Sequence, residues 1–152
     1  MRIVIGADHA GVGYKRDLAE GLRRTGHEVR DIGTHDAAPC DYPDFAAEAG
    51  RLVAHGEADR GVLICGTGVG MAVSANKIPG VRAASVSEPV TAALARAHND
   101  ANIVCIGARI VGPEVAAAII HTFITTPFSQ GERHERRLAK IETLDRARTS
   151  GA

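Results

Sequence analysis

The residues of this chain most capable of chemistry lie in one stretch, where an apolar run ends in a cysteine and a glycine-rich loop follows. The apolar run is Val62–Cys65, and glycine then occupies every second position, at Gly66, Gly68 and Gly70. An apolar run that ends in turn residues predicts a buried strand with Cys65 at its carboxyl end. Open α/β sheets bind ligands at that edge, and glycines let main-chain amides approach negative charge closely. We therefore expect a reactive site here.

The loop does not match the common phosphate-binding fingerprints. The dinucleotide pattern G-x-G-x-x-G fails because Met71 stands where the third glycine is needed, and no Gly-Lys-Ser/Thr of a P-loop follows. Met71 also occupies the arginine position of a Cys-x5-Arg phosphatase. What remains is a set of amide donors beside a thiol, in which Cys65 could act as a thiolate base and Thr67 could donate to an oxyanion. The alternative is a tightly packed turn beside an inert thiol.

Two other sites carry ionisable side chains. Asp8 and His9 directly follow the first predicted strand, so we expect them at the same sheet edge as Cys65. The alternative is a capping carboxylate and a surface histidine. His98 ends a predicted helix, where a histidine either complements the helix dipole or transfers protons near neutral pH.

Two arginines near the end of the chain could bind an anion. Arg133 and Arg137 are four residues apart, so they share one face of a helix and could grip a phosphate or carboxylate. Their neighbours Arg136 and Lys140 fit a solvated basic face equally well. No set of His, Cys, Asp and Glu residues has the spacing of a metal site, so we expect no metal and no other cofactor.

Alternating strands and helices would position these groups. The predicted strands are Arg2–Ile5, Glu28–Ile32, Val62–Cys65, Ala83–Val86 and Ile103–Ile106. The helices between them are predicted from spaced apolar residues (Tyr14, Leu18 and Leu22; Phe45, Ala49, Leu52 and Val53; Val115, Ile119 and Phe123), from Met71–Asn76, and from Pro89 to about His98. Because parallel strands need crossovers, this alternation predicts a parallel sheet covered on both faces.

Composition limits the classes of partner. The chain of 152 residues has a formal net charge near zero, no basic tract and few aromatic residues, which argues against nucleic acid. No apolar run is long enough for a membrane span and no signal peptide is evident, so we expect a cytoplasmic protein. Three scattered cysteines do not suggest a disulfide framework, and Cys105 is expected in the core.

One domain over 1–152 is expected, ending in a charged helix at about 131–148. The sparse apolar stripe of this helix, Leu138, Ile141 and Leu144, suits docking on a partner subunit.

Seven short motifs occur in order along the chain. They are Gly6–Gly11, Asp41–Pro43, Ile64–Gly70, Ala75–Lys77, Ser87–Pro89, His98–Asn102 and Arg133–His134. Together they resemble the ribose-5-phosphate isomerase B family, which includes allose- and galactose-6-phosphate isomerases. The resemblance runs from Arg2 to about Leu144, and Glu132 departs from the small or neutral residue frequent there. It implies a Rossmann-like three-layer α/β/α sandwich with a five-stranded parallel sheet. It also implies a homodimer, or a tetramer of such chains, with active sites at the subunit interface.

The resemblance also implies a reaction, the metal-independent interconversion of D-ribose 5-phosphate and D-ribulose 5-phosphate through a cis-enediolate. Cys65 would move the proton between C2 and C1, and His98 would help open the furanose ring. Thr67 would stabilise the enediolate oxygen together with the main-chain amides of Gly66, Gly68, Val69 and Gly70.

The remaining roles implied by the resemblance concern binding. Asp8, His9 and Asn99 would orient sugar hydroxyls or help open the ring, with Tyr42 as a further contact. The phosphate would be held by Arg109, Arg133, Arg137 and His9.

Other functions stay open at this point. The substrate could be a six-carbon or tetrose phosphate, because motifs do not reveal pocket volume. A non-catalytic module binding a sugar phosphate or nucleotide is the main alternative of another class. A thiol-redox protein is disfavoured because no resolving cysteine lies near Cys65. The variant Cys65→Ala separates an isomerase from a binding module. A binding module would keep its ligand affinity, whereas an enzyme would lose turnover.

Overall fold

The computed structural model describes residues 1–150, with side-chain surroundings for residues 1–147, so residues 151 and 152 of the expected domain lie outside the described part. Strands and helices alternate along the chain. In order they are β1 Arg2–Ala7, α1 Val12–Arg24, β2 Glu28–Asp31, α2 Tyr42–Ala54, β3 Arg60–Cys65, α3 Val69–Ala75, β4 Ala83–Ser85, α4 Pro89–Asn99, β5 Ile103–Gly107, α5 Pro113–Thr125 and α6 Glu132–Ser150.

The five strands form one parallel sheet with the order β2-β1-β3-β5-β4. The predicted strands are thus confirmed, with ends that differ by one or two residues. The strand order reverses between β1 and β3. From β1 the chain continues to β2 at one edge of the sheet, and from β3 it continues to β4 at the other edge. In open α/β sheets, a crevice for ligands forms at the carboxyl ends of strands at such a point.

Helices cover both faces of the sheet, giving the predicted three layers. On one face α1, α4 and α5 pack over apolar residues of β1, β3 and β5. On the other face α2 and α3 cover a second apolar cluster. Strands buried on both sides explain why Val62–Ile64 and Ile103–Ile106 read as continuous apolar runs rather than alternating ones.

The buried face of α1 differs from the predicted stripe. Tyr14 and Leu18 are only partly buried, whereas Lys15, Ala19 and Leu22 face the core. The lysine is 1% exposed, and the spacing i, i+4, i+7 places it directly in line with the two apolar residues. A lysine is not expected in a buried stripe, because its charge normally keeps it at the surface.

Helix α3 begins earlier than predicted, at Val69 instead of Met71. Gly68 precedes it in the left-handed conformation, with φ of 80°, which lets the chain turn from strand to helix within three residues. The loop is therefore shorter than expected, and Gly70 lies in the first helical turn.

Strand β4 stands at the edge of the sheet and has only three residues. The side-chain amide of Asn76 pairs with Ala83 in both directions, donating to its carbonyl at 2.9 Å and accepting from its amide at 2.8 Å. Asn76 thereby substitutes for part of a neighbouring strand. Within residues 1–150, no helix is both long and apolar enough to cross a membrane.

Candidate active site

Cys65 is the last residue of β3, and it lies where the sequence predicted, between the ends of β1 and β5. Its carbonyl accepts from the amide of Ala108 at 2.8 Å, and its Cα is in register with Gly107. The side chain is 4% exposed, and its Sγ accepts a hydrogen bond from the Gly68 amide at 3.1 Å. An amide donor aimed at sulfur stabilises a thiolate more than a thiol. The sulfur therefore lies at the strand end, largely shielded from solvent, with one amide donor aimed at it.

The backbone of the 66–70 loop is held by close contacts that only glycine permits. A Cβ atom at Gly107 would lie 2.7 Å from the carbonyl carbon of Thr67, and one at Gly68 would lie 3.0 Å from the carbonyl carbon of Ile106. The loop thus rests directly on the end of β5. The Thr67 side chain is exposed, and its Oγ1 accepts from the Val69 amide at 3.4 Å.

Asp8 follows β1 and lies next to Cys65 across the sheet. Its amide donates to the Ile64 carbonyl at 3.1 Å, so the strand ladder itself fixes the spacing. The Asp8 side chain is 6% exposed, and its Oδ1 accepts from the Ala10 amide at 2.9 Å. A buried carboxylate is thereby held one strand away from the thiol.

His9 is oriented by the segment that enters α2. Its Nδ1 accepts from the Cys40 amide at 3.3 Å and lies 3.9 Å from the Cys40 Sγ. With Nδ1 accepting, the neutral ring carries its proton on Nε2, which makes that nitrogen a donor for a hydroxyl or phosphate oxygen.

Arg109 and Tyr42 lie against the glycine loop from two sides. The Arg109 amide donates to the Gly66 carbonyl at 3.1 Å, and its Nη1 would be 3.4 Å from a Cβ atom at Gly66. The Tyr42 ring would be 2.7 Å from a Cβ atom at Gly70. Both side chains therefore cover the loop because glycine leaves room for them.

These residues form what we call the strand-end cluster. Its members all lie at the carboxyl edge of the sheet: Asp8, His9, Tyr42, Cys65, Gly66, Thr67, Gly68, Val69, Gly70 and Arg109.

The other predicted site residues form a second group, the helix cluster, where α4 ends and α6 begins. His98 stacks on His134 with ring centroids 4.4 Å apart and planes within 5° of parallel. Asn99 follows His98 at the end of α4, with its side chain exposed. Arg133 and Arg137 lie on α6, and Arg133 Nε donates to His134 Nε2 at 3.2 Å.

His134 is a residue that the sequence reasoning missed as a site candidate. It is 6% exposed, and its pKa is lowered by burial first and then by the nearby His98, Arg133 and Arg137. Its position next to Arg133, one turn before Arg137, was the available signal. The helix cluster is therefore positively charged, which suits an anionic group.

The two clusters lie at opposite edges of the sheet. Helix α4 starts after the carboxyl end of β4 and returns to the start of β5, so His98 lies beside the amino ends of the strands. An 11-residue helix such as α4 is roughly 16 Å long. A cavity of about 560 Å³ lies between α1 and α5, but none of the predicted site residues lines it. The predicted residues thus do not surround one pocket within a single chain.

Two other ionisable side chains near the sheet, Cys105 and Lys15, have contacts that suit a structural role. Burial raises the pKa of the Cys105 thiol far above its ordinary value, as expected for a core residue. Lys15 pairs with Asp31 at 2.5 Å, behind the strand-end cluster. In the part of the chain that the structure describes, no His, Cys, Asp and Glu residues are grouped as metal ligands would be.

Comparison with known proteins gives consistent matches over the chain. The profile of the Ribose/Galactose Isomerase family matches residues 3–141. Ribose-5-phosphate isomerase B of Escherichia coli is 41% identical, over 97% of this chain and 98% of that protein. Among solved structures, a Clostridium thermocellum ribose-5-phosphate isomerase B has a TM-score of 0.94 and 44% identity, covering 97% and 99% of the two chains. A Trypanosoma brucei type B ribose 5-phosphate isomerase has a TM-score of 0.91 and 47% identity, covering 94% and 97%.

Proposed function

Because the chain belongs to the ribose/galactose isomerase family, we propose that it interconverts D-ribose 5-phosphate and D-ribulose 5-phosphate. The observation that carries this proposal is the Cys65 sulfur, held under an amide donor between the ends of β1 and β5. Relatives named for this reaction share 41–47% of their residues with this chain over nearly its whole length. A non-catalytic binding module is not favoured by those relatives.

The transfer of hydrogen between the two carbons needs one base and stabilisation of one oxyanion. The Cys65 thiolate takes the proton from C2 of the open-chain aldose; the electrons of that bond form the C1–C2 double bond, and the π electrons of the C1 carbonyl move to O1, giving the enediolate. The same thiol then gives the proton to C1 while the C2 hydroxyl passes its proton to O1 and the carbonyl forms at C2, so the oxidation at C2 balances the reduction at C1. The negative charge on the oxygen is assigned to the Thr67 hydroxyl and to those amides of the 66–70 loop that are not already bonded to Cys65 Sγ or Thr67 Oγ1. Each such donor contributes about 3–4 kcal/mol in comparable sites.

Binding groups are divided between the two clusters. At the strand-end cluster, His9 and Arg109 can hold one end of the phosphate, and Asp8 can orient sugar hydroxyls. At the helix cluster, His98 and Asn99 can assist ring opening, and the arginines of α6 can hold phosphate. Binding energy from the phosphate, which does not react, orients C1 and C2 at the thiol.

This division supports a homodimer whose active sites lie between the subunits. A two-fold axis that brings the helix cluster of one chain to the strand-end cluster of its partner does so twice, giving two equal sites. The surface between the clusters is suited to such contact. Val69 and Val73 on α3 and Val90 and Leu94 on α4 are exposed on both sides of the edge strand β4. The predicted docking of α6 on a partner belongs to the same proposal.

Mixed dimers test the shared site. Cys65→Ala and His98→Ala each damage a different cluster, so a mixed dimer contains one doubly damaged site and one intact site. Random mixing should restore about a quarter of wild-type activity, because about half the dimers hold one intact site of two. The control mixture pairs Cys65→Ala with the double variant Cys65→Ala/His98→Ala, which leaves every site without its thiol. A mixture no more active than its two parents would contradict the shared site.

A substrate panel tests the substrate itself. We expect kcat/KM to be highest for ribose 5-phosphate among aldose phosphates of four, five and six carbons. A higher value for allose 6-phosphate or galactose 6-phosphate would assign a different substrate within the same family.

In deuterated water the product should gain solvent deuterium, since a thiol exchanges its proton, and full retention would contradict proton transfer. We place the activity in the cytoplasm, where a catalytic thiol stays reduced.

A further inference from the structure

Asp100 holds an unusual position, immediately after His98 and Asn99. It ends α4 in the left-handed conformation, with φ of 43° and ψ of 42°. Residues other than glycine adopt this region at a cost, and they persist there when their surroundings hold them firmly. The turn that carries His98 and Asn99 is therefore fixed by contacts and not by backbone preference.

Two arginines supply those contacts from different elements. Arg82, immediately before β4, has its Nη2 2.8 Å from Asp100 Oδ2. Arg96, one turn earlier on α4, has its Nη1 2.7 Å from Asp100 Oδ1. Each carboxylate oxygen thus has its own guanidinium.

Arg82 also binds the backbone of the turn. Its Nε donates to the Asn99 carbonyl at 3.2 Å and to the Asp100 carbonyl at 3.0 Å. The carbonyls at the end of a helix have no partners within the helix, so these bonds define where α4 stops. The direction of Asn99, and of His98 before it, follows from this anchor.

Arg96 connects the turn to the segment that leads into α6. The side chain is 3% exposed, and it donates to the Ala101 carbonyl at 2.6 Å and to the Thr126 carbonyl at 3.3 Å. The amide of Ser129 donates to the Ala97 carbonyl at 3.0 Å, which holds the same segment against α4. Since α6 begins a few residues later, this network also sets the start of the helix that carries Arg133 and Arg137.

The Asp100 carboxylate balances more positive charge than its two partners alone. The guanidinium of Arg60 also lies near Asp100. Burial lowers the pKa of Arg60 most and the neighbouring Arg96 lowers it further, while Asp100 opposes this effect. Its Nε is buried without a hydrogen-bond partner among the described residues. Removing the charge of Asp100 would leave three guanidinium groups repelling one another in a partly buried place.

We propose that Asp100 is a positioning residue that, through Arg82 and Arg96, holds His98 and Asn99 and the start of α6 in the geometry required for turnover. The inference rests on the proposed function, because it gives His98 and Asn99 their roles. Asp100 itself need not touch the sugar.

Two substitutions separate the charge from the backbone conformation. Asp100→Asn keeps the size and the tolerance for positive φ but removes the charge, and Asp100→Gly removes the side chain while easing the backbone. We expect both to lower kcat/KM for ribose 5-phosphate by about 10- to 100-fold, the loss typical of a small misplacement of catalytic groups. The loss should appear mainly in kcat. Wild-type activity in Asp100→Gly would overturn the proposal.

A double-mutant cycle tests whether Asp100 acts through His98. In the His98→Ala background, Asp100→Asn should cause a smaller fold loss than it causes in the wild type, since coupled residues are not additive and only the part that acts through Asn99 and α6 remains. Losses that multiply would show that Asp100 acts independently and would overturn the inference. The matched control is Glu20→Gln, which removes a carboxylate 2.6 Å from Arg24 on α1. It should leave kcat/KM within about twofold, as expected for an exposed ion pair.

A measurement without substrate separates this inference from the proposed function. The ring proton signals of His98 and His134 in NMR spectra should both shift in Asp100→Asn and stay unchanged in Glu20→Gln. Unchanged signals in Asp100→Asn would overturn the inference even if the enzyme isomerises ribose 5-phosphate. Shifted signals in a protein without isomerase activity would instead overturn the proposed function and leave the positioning of His98 supported.

Discussion

The strand-end cluster and the helix cluster are built in different ways. In the first, the reactive groups directly follow strands whose ladder fixes them, as with the Asp8 amide on the Ile64 carbonyl and the Ala108 amide on the Cys65 carbonyl. In the second, side chains from α4 and α6 meet through a histidine stack and an arginine network. The proposed proton-transfer group thus directly follows a strand that is hydrogen-bonded on both sides. The proposed ring-opening group and the arginines of α6 instead lie on helices.

The largest effect should come from the thiol of the strand-end cluster. Cys65→Ala should lower kcat by about 10²–10⁴-fold, the usual contribution of a general base, while substrate binding is retained. Steady-state kinetics and a binding titration measure the two quantities. The control Cys105→Ala removes a thiol buried in the core and should keep kcat. Iodoacetamide should inactivate the wild type and be slowed by substrate, whereas an unreactive Cys65 would mean that its sulfur is sealed from the substrate.

The rigidity of the strand-end cluster can be tested next. Gly107→Ala adds a methyl group 2.7 Å from the backbone of Thr67, so the loop must move. We expect kcat/KM to fall by about 10- to 100-fold, because small misplacements of catalytic groups are costly. Gly13→Ala is the control, since a Cβ atom there meets nothing within 4 Å. Full activity in Gly107→Ala would show that the loop tolerates displacement.

Loss of a phosphate-binding arginine from the helix cluster should change KM more than kcat. Arg137→Ala should raise KM for ribose 5-phosphate by about 10- to 100-fold, as expected when one charge-assisted hydrogen bond of about 1.5–3 kcal/mol is lost. Any activity on unphosphorylated ribose should remain unchanged. Arg16→Ala, which removes an exposed charge on α1, is the control. Equal losses on both sugars would contradict phosphate binding by Arg137.

The smallest effect concerns pH and the histidine stack. The pKa of His134 is lowered in the folded chain, so below pH about 6.5 the unfolded chain takes up its proton first. Stability should therefore fall as pH falls through that value and be independent of this group above it. Thermal midpoints from pH 8 to pH 5 measure the effect. The decline should be shallower in His134→Gln, and an equal decline would show that His134 does not titrate as described.

The sequence predicted one cluster better than the other, for a physical reason. The family, the parallel sheet and the isomerase activity are confirmed by the matches and the fold. Residues that follow a strand, such as Asp8 and Cys65, can be placed because parallel strands end at one edge. The sequence places His98 at the end of a helix, but which edge of the sheet it lies beside depends on the direction of α4. His134 and Lys15 were missed because their burial depends on contacts between distant elements.

The pairing of Asn76 with Ala83 has a consequence for newly made chains. An open sheet edge invites other copies to add strands, which leads to aggregates. Here the border strand is three residues long, and a side-chain amide already occupies hydrogen-bonding groups of its first residue. A single folded chain therefore offers little template for uncontrolled polymerisation. Replacing that asparagine with alanine should make the freshly synthesised protein more prone to precipitate.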